Sequence, residues 1–72
     1  MTTQDDLIDY GKKHGWLIAH NCPEMILLRT ERHGIVVWFS DTGHVDRCRT
    51  YTGRLTGGVP AVKQYLRENG DA

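Results

Sequence analysis

The chain has 72 residues, in which nine lysines and arginines balance nine aspartates and glutamates. A chain this short makes one domain, residues 1–72, with a core worth only about 3–5 kcal/mol, so homo-dimerisation would be a natural supplement. The zero net charge excludes a global field drawing the protein onto nucleic acid or a membrane surface.

No apolar run reaches the roughly 18–20 residues of a membrane helix, and no basic-then-apolar opening reads as a signal peptide. A cytoplasmic protein is therefore expected, with Cys22 and Cys48 as reduced thiols.

In chain order, the first predicted element is a helix over 4–14. Thr3 caps it, Asp5, Asp6 and Asp9 complement its positive end, and Lys12, Lys13 and His14 complement its negative end. Leu7, Ile8 and Gly11 form its inward stripe, with Tyr10 at the border, and Gly15 is the left-handed stop. Gly11 costs about 1 kcal/mol of helix propensity, which points to a close approach by another element. Residues 16–20 are a short apolar stretch, either an extra edge strand or an extended linker, closed by a turn at Asn21-Cys22-Pro23-Glu24.

Three strands are predicted next, over 25–31, 35–40 and 45–51. They are joined by two turns of one kind, Glu31-Arg32-His33-Gly34 and Ser40-Asp41-Thr42-Gly43, each ending in a glycine suited to positive φ. Both parities of the middle strand are apolar: Ile35, Val37 and Phe39 on one face, Val36 and Trp38 on the other. Trp38 and Leu66 are read as core residues. The third strand carries Arg47, Arg49 and Tyr51 on one side and Asp46, Cys48 and Thr50 on the other. Residues 52–58 read as a glycine-containing loop. A closing helix over 60–69 starts at Pro60, whose missing amide is harmless in a first turn, and turns Val62, Tyr65 and Leu66 inward. The expected fold is α+β: helix, three-stranded antiparallel meander, helix, with both helices on one sheet face.

Leu7-Ile8, Lys13, Gly15-Trp16, the hairpin Gly34, and then Leu55, Gly58, Leu66 and Gly70 together resemble the HicA-type toxins. These are small RNA-cleaving proteins with the double-stranded-RNA-binding-domain fold. In overall style the chain is also similar to short accessory proteins of actinobacterial phages. The resemblance implies a catalytic histidine at the start of the first strand of the meander, and Met25 stands there. A thioether cannot shuttle a proton, so no enzyme activity is expected. It also implies a lysine cluster at the start of the last helix, where Thr56-Gly57-Gly58-Val59-Pro60 carries no charge. Phosphate contacts supply most nucleic-acid affinity, so this loss argues against binding a duplex.

A zinc set from Cys22, His33, His44 and Cys48 fails on spacing. Four residues of extended strand separate His44 from Cys48 by roughly 13 Å, whereas zinc needs its ligands within about 2.0–2.3 Å. No metal and no cofactor are expected, and a nucleophilic pairing of Cys22 with His20 lacks the convergence such chemistry needs. The candidate binding residues are Arg47, Arg49 and Tyr51, alternating on one strand and so sharing a face, with Arg29 and Arg54 beside them. Such a stripe suits a protein partner, where these residue types are enriched at hot spots. The partner expected is a protein, such as a host factor, ahead of nucleic acid. The alternatives are nucleic-acid binding by the same face and an RNA-cleaving toxin or degenerate relative.

Overall fold

Five strands, not three, separate the two helices in the computed structural model, which describes residues 2–70. The order is α1 (Thr3–Lys13), β1 (Leu17–Cys22), β2 (Met25–Arg29), β3 (Gly34–Phe39), β4 (Val45–Thr50), β5 (Gly53–Leu55) and α2 (Gly58–Asn69). Each strand pairs antiparallel with its chain neighbours in one sheet ordered β1-β2-β3-β4-β5. The α+β class holds, but the three-stranded meander is corrected to a five-stranded sheet with an added strand at each edge. No helix among the described residues is long and apolar enough to cross a membrane.

Helix α1 begins one residue earlier than predicted, because Thr2 rather than Thr3 is the cap: its hydroxyl accepts from the Asp5 amide at 3.1 Å. Asp5 and Asp6 occupy the first turn and Lys12 and Lys13 the last, as the helix dipole favours. Gly15, at φ +87°, reverses the chain, and the Trp16 amide returns to the Gly11 carbonyl at 2.9 Å. Gly11 is the close approach its sequence position suggested. A Cβ there would stand 3.0 Å from a Leu28 methyl of β2.

Strand β1 resolves the open reading of residues 16–20 in favour of an edge strand, reaching Cys22, so the turn shrinks to Pro23 and Glu24. Its pairing with β2 slips by one residue at Ala19. Gln4 of α1 ties its far end, donating to the Asn21 side chain at 2.9 Å and the Cys22 carbonyl at 2.6 Å.

The two hairpin turns differ, contrary to expectation. Gly43 sits at φ +84°, whereas Gly34 does not adopt positive φ and instead opens β3. The first turn is closed by Thr30. Its hydroxyl accepts from the amides of Arg32 and His33 at 3.3 and 3.0 Å, and its amide donates to the His33 carbonyl at 2.8 Å. These bonds satisfy the one buried polar residue of the domain's described part.

The loop predicted over 52–58 contains β5. Gly53, at φ +130°, permits the reversal, and three residues then pair with Cys48–Thr50. Helix α2 starts at Gly58, so Pro60 lies in its first turn as predicted, two residues in.

The core lies on one face of the sheet. Leu7 and Ile8 of α1 and Val62 and Leu66 of α2 pack over Ile26, Leu28, Ile35, Val37, Phe39 and Cys48, all buried. Both helices therefore cover the same face, and an odd number of strands between them makes them run parallel. Asp6 near the start of α1 meets Lys63 of α2 at 2.8 Å, and Gly70 abuts the His14 carbonyl at the other end. Trp16 joins them: its indole N–H donates to the Leu66 carbonyl at 2.8 Å in the buried core.

Candidate functional site

Among the described residues, no helix lies over the opposite face of the sheet. Register places the alternate residues Leu27 and Arg29 of β2, Gly34, Val36 and Trp38 of β3, Arg47 and Arg49 of β4, and Arg54 of β5 together there. All five candidate residues therefore share one surface, with Tyr51 at the end of β4. Exposure is uneven, since Tyr51 is 76 % exposed and the four arginines are exposed, while Leu27, Val36 and Trp38 are half-buried.

Trp38 corrects the sequence reading most directly. It is not a core residue, because it lies on the open face between Met25 and Arg47. The Arg47 guanidinium sits 4.5 Å from its ring centroid, a cation–π contact worth about 0.5–1 kcal/mol at an exposed site. Leu66, the other predicted core residue, is fully buried.

At the other end of β3, Tyr51 lies over Gly34. A Cβ on Gly34 would come within 3.0 Å of the tyrosine ring and hydroxyl, so the absent side chain here serves packing rather than backbone conformation. Between these aromatic ends runs a cleft of about 260 Å³, lined by Leu27, Gly34, Val36, Trp38, Arg49, Thr50 and Tyr51. Beside it, Arg47, Arg49 and Arg54 line a second, cationic hollow of about 350 Å³. Arg49 belongs to both.

The charges of this face are uncompensated. Arg49 stands directly opposite Arg54 across β4 and β5, an arrangement that costs a few tenths of a kcal/mol or more, up to about 1. Among the described residues the one ion pair is Lys63–Asp6, on the other side of the molecule. Among the described residues, no arginine of the face forms an ion pair, and Glu31, the neighbouring acid in sequence, does not engage them.

The remaining chemistry-bearing residues stay apart. Met25, where the resemblance implies a histidine, pairs with Trp38 in the sheet. No three His, Cys, Asp or Glu side chains among the described residues gather as a metal-holding group. Cys48 is buried, its thiol donates to the Leu55 carbonyl at 3.2 Å, and burial pushes the thiol up from its ordinary range. Cys22 is half-buried at the sheet edge. The cleft offers aliphatic side chains, two aromatic rings, the Thr50 and Tyr51 hydroxyls and the Arg49 guanidinium, groups suited to apolar contact and charge-assisted hydrogen bonds.

Sequence reasoning found the cationic half of this surface and missed the apolar half. The signal was present in β3, whose two parities are both apolar: two helices can cover only one of them. No family model matches this chain, and no characterised protein or solved structure matches it either.

Proposed function

We propose that the chain is a small non-enzymatic interaction module that binds a protein partner through its open sheet face. One observation carries the reading: an apolar centre of Leu27, Val36 and Trp38, ringed by Arg29, Arg47, Arg49 and Arg54, none of them ion-paired among the described residues. Aromatic and arginine anchors around a half-buried apolar patch are the composition of interface hot spots. The test is affinity capture from the source cell, with and without nuclease, using the parent and an Arg47→Glu/Arg49→Glu variant. A protein retained through nuclease treatment and lost with the double variant supports the reading. Retention of the same protein by the double variant sinks it.

The exposed ring of Tyr51, which shares its cleft with Arg49, favours a second reading, single-stranded nucleic acid held by stacking and phosphate contacts. Binding of that kind weakens steeply as salt rises, and nuclease would abolish the capture.

A further inference from the structure

Resting on the protein-binding reading, we infer that the occupant of the face is an acidic segment that seats one apolar side chain, aromatic or leucine-like, in the cleft between Trp38 and Tyr51. Its neighbouring carboxylates enter the Arg47–Arg49–Arg54 hollow. Two hollows of opposite character share Arg49, so a ligand must offer an apolar group and an anion side by side. The cleft, at about 260 Å³, exceeds the roughly 150 Å³ in which an apolar cavity takes up benzene, so a phenyl or isobutyl group fits.

Charge selects an acidic partner. Arg49 and Arg54 oppose each other with no ion-pair partner among the described residues, and an external carboxylate relieves that repulsion while forming charge-assisted hydrogen bonds. A second copy of this face offers none. The one acidic residue in any strand, Asp46, lies at the β3–β4 bulge beside this face, in a hollow that Arg47 and Arg54 line with it. The cleft also favours a side chain over a nucleobase. Leu27 and Val36 provide aliphatic contact, and the Trp38 ring is already stacked by Arg47. Few groups remain to read a base edge.

Three labelled probes test this: a nonapeptide of Glu and Asp with one central Phe, the same peptide with Ser in place of Phe, and a dodecameric oligo-uridine. Binding is followed by amide and side-chain NMR shifts of the otherwise unaltered chain, the Trp38 indole N–H among them. The Phe peptide is expected to perturb Leu27, Val36, Trp38, Arg49 and Tyr51, and to bind at least about tenfold more tightly than the Ser peptide. Gly34→Ala displaces the flexible tip of Tyr51 without altering charge or a positive φ, and should weaken the Phe peptide severalfold. Tyr51→Ala, at an exposed position, is the second route to the same loss. Equal binding of the two peptides, shifts away from the cleft, or preference for oligo-uridine overturns the inference. A captured protein that Arg47→Glu/Arg49→Glu loses but Gly34→Ala and Tyr51→Ala both retain overturns the inference alone and leaves the protein-binding reading standing.

Discussion

Replacing Trp16 with phenylalanine tests the joint that holds the two helices to the sheet. The residue is 2 % exposed, and its indole N–H donates to the Leu66 carbonyl, fifty positions along the chain, at 2.8 Å. Phenylalanine keeps a ring but deletes two buried carbons, worth about 0.8 kcal/mol each, and one buried hydrogen bond, worth about 1 kcal/mol. The expected loss is therefore about 2–3 kcal/mol, before any cavity cost, from a domain whose core supplies about 3–5. At a urea slope near 1 kcal/mol/M, the low end for small proteins, the midpoint should fall by roughly 2–3 M. Urea unfolding followed by far-ultraviolet circular dichroism reads this directly. Benzothienylalanine at the same position keeps the bicyclic shape and removes only the N–H, so it should cost about 1 kcal/mol. A midpoint unmoved in both variants would refute the role given to Trp16.

Other expectations can be checked on the same material. Gly11→Ala gains about 1 kcal/mol of helix propensity but drives a Cβ to 3.0 Å from fully buried Leu28, and overpacking of about 1–3 kcal/mol should win, lowering the midpoint; a rise would contradict it. Gly43→Ala should cost about 1–2 kcal/mol through its φ of +84° alone, while Gly34→Ala stays within about 0.5, and reversal of that order in thermal melts would undo the contrast between the turns. A thiol reagent at pH 8 should label Cys22 quickly and Cys48 only at the unfolding rate, since Cys48 is buried and its thiol is raised above the ordinary range; two fast labels would contradict this. Asp6→Asn breaks the half-exposed pair with Lys63 and should change stability by less than about 0.5 kcal/mol in a urea titration.

The central β-hairpins were legible because their signals are local. Gly43 marks a turn, and β-branched residues fill β3. The covered face was legible from Leu7, Ile8, Val62 and Leu66 at helical spacing. The edges were not. Strand β1, Leu-Ile-Ala-His-Asn-Cys, is mostly exposed, so it lacks the alternation that would have decided between an edge strand and a linker, and Asn21 and Cys22 read as part of the turn with Pro23. Strand β5 is three residues long, too short for any periodicity. Trp38 misled for a different reason. Size and apolarity favour burial in general, but its parity sets it beside Arg47, and on a sheet with a single helical layer parity outweighs hydrophobicity.

The neighbour-only order of the strands also shapes how the chain finds its fold. Every ladder joins segments adjacent in sequence, so the sheet grows by successive hairpins, each of a kind that closes within about 1–10 μs. Remote closure falls to the helices, through contacts such as Trp16–Leu66. A topology this local belongs among the faster mixed α/β folders rather than with β-sandwiches. The contacts that span the most chain are those that seat α2 against α1 and the sheet. Until α2 arrives, part of the face that becomes the core stands as open to solvent as the face that remains open.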